Sequence, residues 1–484
     1  MRAPVSVLSL AAAAAAALSV SLVAPAHAAP AVPQKAESAQ HHSNGKARGQ
    51  RSGAQVFDTS LPDLGTVGGV AVKSSAYGSA LAPKPGTRDV FYGLTDRGPN
   101  VDGPGGVKIE PYPDYAPQIG EFKMVNGSAR LQRVITLKGR DNKPFTGQVS
   151  PQASTGETIQ DLNGRVLPTS DHGFDSEGLV ALPDGTFWVS DEYGPFITHF
   201  DCRGREIERL SPTASERSRS ALPGELGQRD PNKGMEGLTV TPDGRTLVGV
   251  MQSALVTADL KGKPKNVVPV RIVTVDLRTR ATHQYLYMRH LDSASTNISE
   301  ITALSSHEFL LDERDGETGK DSFKRLYKVD LKNATDVSQH SPVKGATYDA
   351  AKGGLLLDGT TSIEGLTGKK NEKDARTALA DAGITPVRSE LYLDMTRLAW
   401  GIDPTGGFFA HDKIEGVAVA RGGRELWISN DSDYGLSGST GAQAPYGLVA
   451  KTLPDGTQDD GEFLRVDMDR VSRDAVGPGY RPCR

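Results

Sequence analysis

One hairpin recurs along this chain. It reads DSEGLVALPDGTFWVSDEYG at 175–194, GMEGLTVTPDGRTLVGVMQS at 234–253, NISEITALSSHEFLLDERDG at 297–316 and KIEGVAVARGGRELWISNDSDYG at 413–435. Most copies open on alternating apolar residues: Leu179 and Ala181, Leu238 and Val240, Val417 and Val419. That period of two marks a strand. A turn follows, such as Pro183-Asp184-Gly185 or Pro242-Asp243-Gly244, and then a second apolar strand such as TFWVS or ELWIS. A weaker fifth copy, TSIEGLTG, places a glutamate at Glu364, so the glutamates fall 59, 64, 64 and 51 residues apart. Further strand-like segments fill each interval. Repeating units of about four strands specify an all-β β-propeller. A β-helix needs shorter repeats, and a sandwich would not repeat its hairpin with an acid in register. The expected fold has about six blades of four-stranded antiparallel sheets, with five to seven compatible. The first blade is expected to begin near LGTVGGVAV (64–72) and to continue through RDVFYGLTDRGPN (88–100).

Composition agrees. Hydrophobic residues are only 37% of the chain, while 54 Gly and 30 Pro suit short strands joined by turns. A net charge of −4 excludes an electrostatic nucleic-acid binder. Residues 1–28 read as a secretory signal peptide, cleaved after Ala28 in the A-x-A pattern Ala26-His27-Ala28. Residues 29–55 carry almost no large apolar side chain and are expected to be a disordered linker. Residues 56–484 then form a single propeller domain, secreted, with no membrane span and expected to be monomeric. Only two cysteines occur, and export into an oxidising space makes a Cys202–Cys483 disulfide the expectation.

Hairpin geometry explains the repeated glutamate. A hairpin centred between Asp184 and Gly185 sets Glu177 opposite Glu192, with Asp191 beside it. By the same count Glu236 faces Met251, Glu300 faces Asp312 or Glu313, and Glu415 faces Ser429 or Asn430. In a propeller the first strand of each blade lines the central channel, and its start opens onto the face that usually binds ligand. The glutamates therefore converge on one mouth. A lone Glu-Gly would be a solvated strand cap; converging ones repel unless a cation offsets them. Oxygen-only donors suit calcium rather than zinc. The expected ligands are Asp96, Glu177, Asp191, Glu236, Glu300, Asp312, Glu415 and Asn430. Basic residues accompany the acids: Arg97 in LTDRGPN, Lys233 in PNKGMEG, Arg314 in LDERDG and Lys413 in HDKIEG. Arg97, Arg314 and Lys413 are candidates to hold the oxygens of a small anionic ester.

The phrases GFDSEGLVALPDGTFWVSDEYGP, DPNKGMEGLTVTPDG, LYKVDLKNATDV and DKIEGVAV resemble, as a set, the secreted bacterial phytase-like family, named for the esterase-like activity of phytase. The resemblance spans roughly residues 60–475. It implies a propeller and the hydrolysis of esters or phosphoesters. No G-x-S-x-G elbow, H-E-x-x-H or P-loop is present, so a serine esterase, a zinc protease and a nucleotide hydrolase are not indicated.

Three functions fit this reading. The first is a calcium-dependent hydrolase of phosphate esters, in which Glu177, Glu236 or Glu415 serves as general base or ligand. The others are a propeller lactonase and a non-enzymatic propeller that binds an extracellular ligand or cell-wall polymer at the same mouth. Several clustered ions would favour phosphoester chemistry, and a single ion would favour a lactonase.

Overall fold

The computed structural model describes residue 46 and residues 48–153, 156–213 and 219–481. The signal peptide and cleavage site lie outside the described residues. So does Cys483, the other half of the expected disulfide; Cys202 is exposed and has no disulfide partner among the described residues.

Five four-stranded blades can be traced among the described residues; a parallel pairing of Asp58 with Ser128 joins blades V and I into one eight-stranded sheet, and a short strand, Arg219–Ser220, is added to the edge of blade II. Blade I is Ala80–Pro83, Val90–Leu94, Gln118–Val125 and Ser128–Thr136. Blade II is Ser176–Ala181, Phe187–Asp191, Ile197–Phe200 and Glu206–Ser211. Blade III is Met235–Val240, Thr246–Met251, Pro269–Asp276 and Thr282–Met288. Blade IV is Asn297–Ala303, Glu308–Arg314, Lys324–Asp330 and Arg388–Asp394. Blade V is Ile414–Ala420, Glu425–Asn430 and Glu462–Asp467, completed by Ala54–Asp58 from the other end of the chain. That last strand pairs antiparallel with Glu462–Asp467 from Ala54↔Val466 to Asp58↔Glu462. The first strands of the five blades touch one another in a closed ring, so the propeller has five blades, the lower end of the expected range.

Each blade boundary carries its own apolar core. Leu94, Ile119, Leu179 and Val189 fill the boundary of blades I and II, and Val180, Trp188, Leu238 and Val273 that of II and III. Blades III and IV meet through Val248, Ile272, Ile301 and Leu311, and blades IV and V through Leu310, Leu326, Val417 and Leu464. The ring closes on Trp427 of blade V, whose ring centroid lies 5.0 Å from Phe57 and 4.5 Å from Phe91. Strand alternation supplies these cores: one face of each sheet packs forward, the other back.

Three sequence expectations need correction. LGTVGGVAV forms a separate two-stranded hairpin, Gly65–Val67 with Val70–Val72, and the inner strand of blade I is Ala80–Pro83. Glu364 begins no blade. It lies in the short helix Ile363–Thr367, started by Ser362 accepting a hydrogen bond from the Gly365 amide, and its carboxylate binds Arg271. The helix belongs to an insertion between the last two strands of blade IV. Finally, order begins before residue 56. Ala54 is buried within blade V, and Lys46 pairs with Asp58 and with Glu462.

Candidate functional site

The start of each recurring hairpin is interrupted at or just before its glutamate; in blade IV the extra residue is Ser299, and Glu300 pairs with Asp312 as expected. Ladder pairing slips by one residue between Ser176 and Leu179, between Met235 and Leu238, between Ile298 and Glu300, and between Ile414 and Val417. These are β-bulges, which re-aim a side chain at the end of a strand. The structure departs from the expected register, which set Glu177 opposite Glu192: Ser176 pairs with Asp191, and the Asp175 carbonyl accepts the Glu192 amide at 2.9 Å.

The glycine after the glutamate has a packing role. A methyl group on Gly178 would lie 2.5 Å from the Leu238 amide nitrogen and 2.7 Å from the Glu236 carbonyl of the next blade. Gly237 meets blade IV and Gly416 meets blade I in the same way. Glu-Gly thus marks where adjacent inner strands approach most closely around the axis. Glu300 is followed by Ile301 instead, and its carboxylate turns back to accept the amides of Ile301 (2.8 Å) and Leu238 (3.2 Å).

The bulges open onto a cavity of about 420 Å³ lined by ten acids and six bases. Glu177, Glu236 and Glu415 reach it, as do Asp96, Arg97, Arg314 and Lys413. Four expected ligands do not. Glu300 lines the apolar channel beyond. Asp191 is held by the Gly194 amide at 2.7 Å. Asp312 is buried with neither oxygen hydrogen-bonded among the described residues. Asn430 is structural: its oxygen accepts the Glu462 amide at 2.8 Å and its nitrogen donates to Asp459 at 3.3 Å.

Two groups of charges divide the cavity. On blade II, oxygens of Asp175, Glu177 and Glu192 all lie within 4.8 Å of one another, and all three residues are buried. Glu177 accepts no hydrogen bond from the described residues. Glu192 accepts one from Gln252 at 2.7 Å. Asn232, with its amide nitrogen turned to the acids, bridges Asp175 at 3.1 Å and Glu192 at 3.2 Å. Burial, and then their mutual repulsion with Glu236, pushes the Glu177 and Glu192 carboxyls well above the usual range. Glu236 is pushed up to about 8 by burial and by Glu415, and its Oε2 has no hydrogen-bond partner among the described residues. A set of buried, oxygen-only, mutually repelling donors fits a hard divalent cation.

On blade V the charges are interlocked. Lys413 pairs with Asp431 at 2.9 Å and with Asp433. Lys451 pairs with Asp412 at 2.6 Å, Asp433 at 2.8 Å and Asp459 at 3.3 Å. Burial would raise Asp433, but the two lysines outweigh it and hold its carboxyl below the usual range. Arg314 donates to Glu415, and Arg97 lies 3.6 Å from Glu157, 3.9 Å from Asp175 and over the Tyr193 ring. Arg97, Arg314 and Lys413, expected to face a substrate, are thus committed to protein acids. Asp175, Asp412, Asp433 and Lys451 were not anticipated as site residues. Only Asp175 left a local sign, its place two residues before Glu177 in DSE.

A five-bladed propeller with a buried acid triad at its channel mouth is the class of molecule this fold and site define. The chain belongs to the phytase-like family, described as esterase-like activity of phytase, which it matches over residues 77–380. It is similar to an uncharacterized secreted protein of Arthroderma benhamiae, 29% identical over 293 residues, and spans 49% of this chain and 57% of that relative. Among solved structures it resembles a luciferin-regenerating enzyme, with a TM-score of 0.30 and 9% identity over 82% of this chain and 78% of that one. A streptogramin B lyase gives a TM-score of 0.28 and 11% identity over 85% and 96%. Likenesses this distant carry no argument about what the chain does.

Proposed function

We propose that this protein is a secreted, calcium-dependent hydrolase of small anionic esters, with phosphate esters as the leading substrate class. One observation carries the reading. Asp175, Glu177 and Glu192 crowd together in a buried cluster at a solvent-reachable mouth, and Glu177 has no hydrogen bond to offset its charge. These three residues would hold the ion. When bound, it supplies Lewis-acid polarisation of an ester oxygen and a more acidic water. Glu236 lines the cavity with its carboxyl pushed up to about 8, so it would hold a proton near neutral pH and could exchange it with a reacting group. The Arg314–Glu415 and Lys413–Asp431 pairs keep the opposite wall fixed, which favours a preorganised site. Secretion is supported by the signal-like sequence and the secreted relative. Among the described residues no helix is long and apolar enough to cross a membrane.

A lactonase is the second reading. What favours it is the presence of one three-carboxylate cluster, not several, among the described residues. The test is direct. The purified protein is titrated with calcium by calorimetry, then assayed against phosphomonoesters, phosphodiesters and lactones with calcium or with chelator. Calcium binding together with chelator-sensitive turnover of one class supports the reading and picks the substrate. No calcium binding together with no turnover of any class overturns it in favour of a binding propeller.

A further inference from the structure

Of the six basic residues lining the mouth cavity, five are ion-paired. Arg97, Arg314, Lys413 and Lys451 are committed to buried acids, as described, and Lys108 pairs with Asp102 at 2.7 Å on the rim. Lys233 is different. Its ammonium donates to the neutral side chain of Gln252 at 2.5 Å, and no carboxylate of the described residues lies in ion-pairing range. Gln252 in turn donates to Glu192 at 2.7 Å. Lys233 therefore stands at the end of a chain that leads through one amide to the acid triad.

Local backbone fixes it there. The Lys233 amide closes a turn onto the Asp230 carbonyl at 3.0 Å, and Asn232 takes a left-handed φ of 55°. Asn tolerates that region better than other non-glycine residues. The turn thus delivers consecutive side chains to the site: Asn232 onto Asp175 and Glu192, and Lys233 beside them.

We infer that Lys233 is the residue that recognises the substrate's negative charge, and that the substrate presents a single anionic group, phosphoryl or carboxylate, between Lys233 and the cation. The inference rests on the metal-site reading above and narrows it. A polyphosphorylated ester needs several uncommitted cations. Here acids outnumber bases ten to six, so even with a divalent ion bound the formal charges leave no excess of positive groups for further anions. One lysine and one cation suffice for one anionic group; further phosphates would face Asp431, Asp433 and Glu415 with their lysines and arginine already engaged.

The test uses the whole protein saturated with calcium and follows binding by calorimetry, without turnover. The probes are phenylphosphonate and benzoate, which carry one phosphoryl or one carboxylate group and no ester bond. Each is titrated into wild type, Lys233→Gln and Lys233→Arg, alongside a calcium titration of each protein. A charged hydrogen bond of this kind corresponds to a loss of roughly tenfold or more in affinity. The expected result is that loss for at least one probe in Lys233→Gln, recovery in Lys233→Arg, and calcium affinity unchanged in both. The probe that responds identifies the group. Inositol hexasulfate, a polyanion of sulfate esters with no phosphoester bond, should bind no tighter than the better single-charge probe. Anion binding undiminished in Lys233→Gln, no binding of either probe to wild type, or much tighter binding of the hexasulfate would each overturn the inference while leaving the metal site standing. Failure of wild type to bind calcium would overturn the metal site, and this inference with it.

Discussion

Arg314 of blade IV donates to Glu415 of blade V across the mouth of the channel, and the two residues are only 6% and 4% exposed. Arg314 also donates from Nε to Ser299 at 3.0 Å. Removing one partner leaves the other charge buried and alone, which costs about 3–5 kcal/mol. Arg314→Met should therefore lower the denaturant midpoint sharply. Arg314→Met combined with Glu415→Gln should recover most of the loss, because no bare charge remains. If the double variant is no more stable than the single, the pair is not the source of the effect.

Gly178 predicts a different kind of loss. Gly178→Ala drives a methyl group into the backbone of the neighbouring inner strand, 2.5 Å from Leu238 N. Overpacking of this sort costs about 1–3 kcal/mol. The same change at Gly244, a turn glycine with open space around it, strains only the backbone at its φ of 71°. Thermal melts of the two variants should separate them: calcium response should weaken in Gly178→Ala, beside Glu177, and stay intact in Gly244→Ala.

Glu177→Gln removes a carboxylate that accepts no hydrogen bond from the described residues. Its cost to the cation-free protein should be small, and its effect on calcium affinity large, about tenfold or more. Calorimetric titration checks the second, and a melt in chelator checks the first. An unaltered calcium affinity would remove Glu177 from the ligand set.

The pH dependence follows from Glu236 at about 8 and from Asp191 and Asp431 at about 7. These acids hold protons more tightly folded than unfolded. Their stabilising contribution is complete below the ordinary carboxyl range and is lost as pH rises from about 4 toward 8. Without calcium, the melting temperature should fall across that window. With calcium the fall should shrink, because ligands that must shed protons bind metal better as pH rises. Melts in chelator and in calcium from pH 4 to 9 read both slopes, and parallel slopes would contradict the coupling.

Strands, turns and the recurring acids were legible because each depends on local pattern. Blade number was not. SIEG at Glu364 resembles the other openings, yet Ser362 caps a helix there and Arg271 captures the glutamate, a contact 93 residues distant in sequence. The inner strand of blade I was misplaced because ALAP at 80–83 carries no Glu-Gly, although the next strand, Val90–Leu94, lies in the segment read as the first blade. Counting along an ideal hairpin set Glu192 opposite Glu177, and both line the mouth; what the count could not give is the bulge that pairs Ser176 with Asp191 and brings Asp175 into the cluster. The commitment of Arg97, Arg314 and Lys413 to acids could not be read either, since each partner set spans separate loops or blades.

Blade V joins segments made at very different times. Ala54–Asp58 is synthesised early, and the strand it pairs with arrives about 400 residues later. Pairings this distant in sequence are slow to form. Until the late strand is inserted, Ala54–Asp58 and Glu425–Asn430 each present an unpaired edge, the kind of surface on which chains stick to one another. The molecule is therefore most adhesive just before it is finished. Damage to Glu462–Asp467 should appear first as poor yield and aggregation, and as a changed channel mouth only in the fraction that survives.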